Sequence, residues 1–201
     1  MIRVGGFALA LYALYAVLAS LYVPAAIYPF DDRPFADPAY TRHEIARPGA
    51  PPLVLHVADA GPGRPVVLYF MGNAGSLVHF AQILDHHRAA GRSVVALAYR
   101  GGGGTPGQAG EAALKADALA ARDALDHLFP APGPVVLQGY SLGTGLALHV
   151  AARRETKAVV LAAPYARLCR LMARRSALPA CAMWWIDRWR ADLDAPDVTA
   201  P

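Results

Sequence analysis

Gly139-Tyr140-Ser141-Leu142-Gly143 decides how the rest of this chain is read. An apolar run precedes it (Val135, Val136, Leu137) and a helix-like run follows it (Leu146, Ala147, Leu148, Val150). A G-x-S-x-G string between a strand and a helix puts its serine on a sharp turn at the end of a sheet. The positive end of the helix lies beside it. Glycines at 139 and 143 keep that turn tight, because a side chain at either position would crowd the turn or the packed helix. Leu142 opens the helix, so its N–H has no helical partner and can donate to an oxyanion. Ser141 is the candidate nucleophile. Without its flanks the string would be only a glycine-rich turn holding an ordinary serine.

Working outward, strand-length apolar runs alternate with helical spacing. Strands are expected at Leu53–Val57, Val66–Phe70, Val94–Ala98, Val135–Gln138 and Ala158–Ala162. Helices are expected at Leu77–Ala90, Glu111–Phe129 and Leu142–Arg153, with Pro130–Pro134 breaking the second. A further helical stretch is expected over Leu168–Arg190, interrupted near Pro179. Continuous apolar strands joined by helices predict a mostly parallel, three-layer α/β sheet. Ligands in such a sheet sit beyond the C-terminal ends of the strands, where each of the special loops falls.

Two further loops follow predicted strands. Met71-Gly72-Asn73-Ala74-Gly75 follows Val66–Phe70, and the N–H of Asn73 or Ala74 could supply a second oxyanion donor. A plain turn with Ser76 as helix cap fits the same residues. Tyr99-Arg100-Gly101-Gly102-Gly103-Gly104-Thr105-Pro106-Gly107 follows Val94–Ala98. It lacks the Gly-Lys-Ser/Thr ending of a phosphate-binding loop.

These three loops, in this order and spacing, resemble the α/β-hydrolase superfamily, and most of all its Bem46-type, serine aminopeptidase-like branch. The resemblance runs from about Leu53 to about Trp189. It implies a serine hydrolase that forms an acyl-enzyme on Ser141, with Asn73 and Leu142 as oxyanion hole. It implies no cofactor and no metal. It also implies a small acyl substrate, which the apolar, Trp-rich segment Tyr165–Arg190, the expected cap, suggests is greasy. Two departures stand out. The branch usually has His before Gly-Asn, where this chain has Met71. It also places its Asp and then its His on loops after two further strands, beyond Asp197-Val198-Thr199-Ala200-Pro201. Asp187, Asp192, Asp194 and Asp197 all precede those strands, and none matches the acid position.

No histidine follows His149. His149 falls eight residues past Ser141, about 12 Å along the helix axis and out of hydrogen-bond reach. His79, after the oxyanion loop, is the one geometrically conceivable stand-in. The expectation is therefore a C-terminally truncated α/β-hydrolase with an incomplete triad and impaired chemistry. The rival reading is a non-catalytic, membrane-tethered module that keeps the pocket for binding. Either reading leaves Ala158–Ala162 as an exposed sheet edge open to self-association.

Val4–Val23 carries no charge, and its twenty residues reach about 30 Å, the thickness of a bilayer core. Residues 1–28 are read as a membrane anchor in preference to a signal peptide, because Pro24-Ala25-Ala26-Ile27 is a poor cleavage site. The flanking charges favour a domain on the non-cytoplasmic side. Residues 29–52 read as a linker with at most a short first strand, and residues 53–201 as the partial hydrolase domain, with a cap-like segment at 165–190. A hydrophobic fraction of 55% and a charged fraction of 17% suit one membrane segment on one domain. The net charge of +4 comes without basic blocks, so no nucleic-acid partner is expected. Arg167, Arg170, Arg174 and Arg175 share one face if their stretch is helical; a solvated face is the plain reading and contact with lipid headgroups the other. Cys169 and Cys181 match no metal or redox spacing; small core residues are the plain reading, and a disulfide the other if the domain lies outside the cytoplasm.

Overall fold

The computed structural model describes residues 2–129 and 131–201, with side chains from residue 5 onward. Pro130, which opens the break expected at Pro130–Pro134, lies outside the described residues, as does the side chain of Arg3.

Six strands form one sheet: β1 Thr41–Arg47, β2 Ala50–Ala58, β3 Val66–Phe70, β4 Ser93–Ala98, β5 Val135–Tyr140 and β6 Ala158–Ala162. Among the described residues, five α-helices accompany them: α1 Ile2–Ile27, α2 Ala81–Ala89, α3 Glu111–Leu128, α4 Leu142–Ala151 and α5 Leu168–Ser176. The sheet order is β1-β2-β4-β3-β5-β6. β3, β4, β5 and β6 run parallel, while β1 and β2 are antiparallel to their neighbours. β3 and β4 are buried along their whole length, as continuous apolar strands covered on both faces must be.

The connections position the site. β3 leads through α2 to β4 on one side, and β4 leads through α3 back past β3 to β5. Right-handed crossovers then put α2 on one face of the sheet and α3 and α4 on the other. The chain leaves β3 and β5 toward opposite faces although the two strands are neighbours. A crevice opens between them at their C-terminal ends, and the loops carrying Asn73 and Ser141 border it.

The stretch read as a linker with at most a short first strand contains β1, a seven-residue strand that turns through Pro48-Gly49 and pairs antiparallel with β2. Gly49 takes φ +71° there, which suits a glycine. The start of that stretch is also not slack. Phe30 packs against Gly75, the Asp31 N–H donates to the Ala74 carbonyl at 2.8 Å, and Ser76 Oγ donates to the Arg33 carbonyl at 2.6 Å. Residues 30–33 therefore clamp the loop after β3. The helix expected over Leu168–Arg190 ends at Ser176, because Ala177 turns into the left-handed region and residues beyond it form turns. The Leu77–Ala90 helix begins as a 3-10 turn over Leu77–Phe80, capped by Ser76 Oγ.

Cys169 and Cys181 are joined in a disulfide, against the reading of two reduced core residues. Sequence spacing cannot reveal Cα atoms 5.0 Å apart. The bridge closes a loop of 12 residues, for which loop-closure entropy gives about 3 kcal/mol of stabilisation. Reduction, or Cys169→Ser, should lower the melting temperature and expose the 165–190 segment to protease. An unchanged melt under reducing conditions would contradict this.

His56 sits in β2 with its ring edge-on to Phe35 at 5.1 Å and is 6% exposed. Burial, and then the nearby Arg42 charge, push its pKa down from 6.5 to about 4. A histidine held neutral in the fold binds its proton more readily when unfolded. Its contribution is therefore complete above pH 6.5 and lost as the pH falls toward 4, up to about 3 kcal/mol. Burial also lowers the pKa of His87 and His149, which act in the same window, whereas Asp192 and Asp194 are held below the usual carboxylate value and act at lower pH. Urea midpoints at pH 7 and pH 4.5 should differ, and His56→Leu should reduce that difference. An equal pH dependence in both proteins would contradict the assignment.

Candidate active site

Ser141 is the only residue between β5 and α4, and its backbone carries the geometry the motif demands. Its φ of 49° and ψ of −112° lie in a region that residues with a side chain rarely adopt. Such strain costs about 1–3 kcal/mol and persists where the surroundings enforce it. They do so here. The Ser141 N–H donates to Ala162 O at 2.8 Å, and Ser141 O accepts from the Thr144 N–H at 3.0 Å and from Thr144 Oγ1 at 2.6 Å.

The two flanking glycines are there for space. A Cβ at Gly139 would meet Gly143 O at 2.4 Å, and one at Gly143 would meet Phe70 O at 2.1 Å and Met71 O at 2.6 Å. The first turn of α4 lies directly on the end of β3, which brings Leu142 and Asn73 to the same cavity as Ser141. Among the described residues, neither the Leu142 N–H nor the Asn73 N–H donates to a protein backbone acceptor. Both are free amides at the mouth of the crevice.

The loop bearing Asn73 is held from beneath. Tyr99 is buried and its hydroxyl donates to Met71 O at 2.7 Å. Burial raises the Tyr99 pKa far above the ordinary tyrosine value, so the hydroxyl stays a donor. Met71 is itself fully buried, so the side chain at this departure from the branch pattern lies in the core while its carbonyl anchors the loop. Arg100, from the glycine-rich loop, donates to buried Asp117 of α3 through Nε at 2.7 Å, and Arg47 of β1 pairs with the same carboxylate at 2.7 Å. That loop is thus a structural brace; the sequence offered no partner for Arg100.

The histidines do not complete the site. His79 Nε2 lies 2.9 Å from Asp31 Oδ2 and 3.2 Å from an Arg33 nitrogen. Arg33, ahead of the His79 contact, holds the Asp31 carboxyl well below the usual carboxylate range. His149 Nδ1 faces Asp194 at 3.2 Å, with Arg153 on the same carboxylate at 2.6 Å. Burial lowers the His149 pKa, although Asp194 opposes it. Among the described residues, no histidine or carboxylate hydrogen-bonds to the Ser141 hydroxyl. Nor do three His, Cys, Asp or Glu side chains gather as metal ligands would among those residues.

A cavity of about 590 Å³ opens onto Ser141. α1 (Ala19, Val23, Ile27) and α5 (Leu168, Leu171, Met172, with Arg175) both line it. The sequence showed the apolar character of α1 but not that it shares a cavity with α5. Leu178, Met183 and Trp189 fill the core beneath. Glu111 at the start of α3 fastens the end of this segment by accepting from the backbone N–H groups of Arg188 and Trp189 at 2.9 and 2.8 Å. α1 is long and apolar enough to cross a membrane over Gly5–Ile27, with a mean hydropathy of 1.9.

Comparison with known proteins agrees with this geometry. A family model described as serine aminopeptidase, S33, matches residues 61–198. An uncharacterised protein of Mycobacterium tuberculosis is 36% identical over 115 residues, covering 57% of this chain and 41% of that protein. The lysophosphatidylserine lipase ABHD12 of Gallus gallus is 34% identical over 121 residues, covering 54% of this chain and 30% of the lipase. The protein bem46 of Schizosaccharomyces pombe is 30% identical over 102 residues, covering 50% and 34%. The chain thus spans well under half the length of these curated relatives. Among solved structures, the Pyrococcus furiosus esterase Pf2001 superposes with a TM-score of 0.66 at 18% identity, over 87% of this chain and 74% of the esterase. That likeness places the architecture among α/β-hydrolase folds.

Proposed function

The chain belongs to the serine aminopeptidase S33 family, and from that premise we propose that it is a membrane-associated serine hydrolase acting through Ser141. The reaction is hydrolysis of an ester, thioester or amide by way of an acyl-enzyme. One observation carries the reading: the strained Ser141 backbone, with the free amides of Leu142 and Asn73 at the same cavity. Ser141 Oγ attacks the substrate carbonyl, whose oxygen becomes an oxyanion. The Leu142 N–H, at the positive end of α4, and the Asn73 N–H stabilise that charge. Collapse expels the leaving group and leaves the acyl chain on Ser141, and water then releases it.

The attack also requires a base for the Ser141 proton, and none of the described histidines takes that role. The described residues by themselves therefore leave the Ser141 hydroxyl without a base. The apolar walls of the cavity favour a greasy acyl group, and a relative named as a lysophosphatidylserine lipase fits that choice. Residues 1–28 are assigned as the anchor and 53–201 as the hydrolase domain. The Cys169–Cys181 bridge favours a non-cytoplasmic position for that domain.

A second reading is a binding module that keeps the cavity without turnover, and the unassisted Ser141 hydroxyl favours it. In that case the β6 edge, where Val160 is 47% exposed, is the natural place for self-association. Fluorophosphonate labelling separates the two readings. Slow labelling that maps to Ser141, disappears in Ser141→Ala and quickens with added imidazole supports the hydrolase. Labelling elsewhere, or none at any exposure, supports the binding module.

A further inference from the structure

α1 is fastened to the rest of the fold at two places. Just past its C-terminal end, the Tyr28 hydroxyl donates to Asp187 Oδ2 and accepts from Trp189 Nε1 at 2.9 Å. Toward its N-terminus, the Tyr12 hydroxyl donates to the Ala177 carbonyl at 2.8 Å, and the Tyr15 hydroxyl donates to that of Ser176. Between these ties, Ala16, Ala19, Val23 and Ile27 follow one another at helical spacing and pack in or against the core cluster. A helix held in this way is part of the site it borders.

The same contacts give the Ser141 cavity a near end and a far end. At the near end α1 stops at Ile27, and residues 30–33, which clamp the Asn73 loop, follow directly. Trp189, which meets Tyr28, lies against the elbow helix: a Cβ at Gly145 would come within 3.2 Å of its ring. α5 begins here as well, since the Leu168 N–H donates to Trp189 O at 3.0 Å, and it ends at Ser176 beside Tyr15. α5 therefore runs back along α1. Ile27, Val23 and Ala19 from α1, and Leu168, Met172 and Arg175 from α5, line the cavity in that order away from Ser141. Ala19 precedes Ile27 by eight residues, about 12 Å along the helix axis. Among the described residues that line the cavity, Arg175 is the one charged side chain, and it stands at the far end, where the apolar lining stops.

We propose that α1 is the ruler of the acyl site: the acyl chain extends from Ser141 along Ile27, Val23 and Ala19, and the preferred acyl group has about eight to ten carbons. With carbon–carbon bonds of about 1.5 Å, an extended chain advances about 1.25 Å per carbon, so about 12 Å holds about ten. Alanine at positions 19 and 26 leaves room that a larger side chain would fill. Each methylene that leaves water there strengthens binding roughly two- to fourfold. The proposal rests on the reading of Ser141 as the nucleophile and does not depend on whether α1 crosses a bilayer.

The test measures Ser141 labelling by fluorophosphonates that carry ethyl, butyl, octyl or dodecyl chains, with the full chain held in amphipol. Each variant's rate is divided by the parent's at the same chain length, which cancels partitioning of the probes. Ala19→Phe should slow the octyl and dodecyl probes at least about tenfold more than the ethyl probe. Ala26→Phe, nearer Ser141, should already discriminate against the butyl probe. Val17→Phe, on α1 but exposed and outside the cavity, should give the same ratio at every length. Ala19→Leu repeats the test with a smaller side chain if phenylalanine prevents folding. Ratios for the Ala19 and Ala26 variants that do not change with chain length overturn the proposal and leave the role of Ser141 standing. A chain-length dependence in Val17→Phe equal to theirs overturns it too. Labelling of Ser141 by no probe, the ethyl probe included, overturns the Ser141 reading and the proposal with it.

Discussion

The 201-residue chain should react with a fluorophosphonate at Ser141 about 10⁴-fold more slowly than a relative with a complete triad, and Ser141→Ala should not react at all. In serine hydrolases the histidine removes the serine proton as the bond to the electrophile forms, and loss of a triad member costs roughly 10⁴ to 10⁶ in rate. The oxyanion donors alone leave about 10³ to 10⁴ over water. Here the Leu142 and Asn73 amides stand free, while His79 is engaged by Asp31 and Arg33, and His149 by Asp194. Slow, Ser141-specific labelling is what an elbow without a base should give. Added imidazole, able to enter a cavity of about 590 Å³, should speed it. Rapid labelling would mean that a base reaches Ser141, and its loss in His79→Ala would identify that base.

Gly143→Ala should destabilise the protein by about 3–5 kcal/mol, at the upper end for a single methyl group. The added carbon would lie 2.1 Å from Phe70 O and 2.6 Å from Met71 O, both backbone atoms of the β3 end. Neither can swing aside as a side chain would. Relief requires lifting α4 from the sheet, which also separates Leu142 from Asn73. Any folded fraction should therefore lose Ser141 labelling as well. Gly110→Ala is the matched control, since its added carbon meets nothing closer than Asp187 Oδ2 at 3.9 Å. As the N-cap of α3 it should cost no more than about 1 kcal/mol. Urea unfolding of both variants checks the contrast, and equal midpoints would contradict it.

The parts legible in the sequence are those with a local cause. β3 and β4 read correctly because strands inside a parallel sheet are unbroken apolar runs. The elbow read correctly because a tight strand-to-helix turn needs glycine at 139 and 143, and a Cβ at either position indeed meets backbone. β1 was nearly hidden because its Thr-Arg-His-Glu-Ile-Ala-Arg run lies at the sheet edge and is stabilised by pairing with β2 rather than by burial. Its alternating exposure offers no continuous apolar signal. The Cys169–Cys181 bridge, the clamp of residues 30–33 on the oxyanion loop, and the contact of α1 with the cap all join distant segments. No periodicity encodes them. The segment after Ser176 misled for a related reason: its apolar residues, among them Leu178, Met183 and Trp189, are core-filling turns rather than one face of a helix.

The most direct test of the central claim is a crystal structure of the phosphonylated protein after prolonged exposure. The phosphonyl group should be bonded to Ser141 Oγ, with its oxygen 2.7–3.1 Å from the backbone nitrogens of Leu142 and Asn73, about the distance of an oxyanion-hole hydrogen bond. A phosphonyl group on another residue, or one on Ser141 whose oxygen faces away from both amides, would contradict the assignment of this elbow as the catalytic centre.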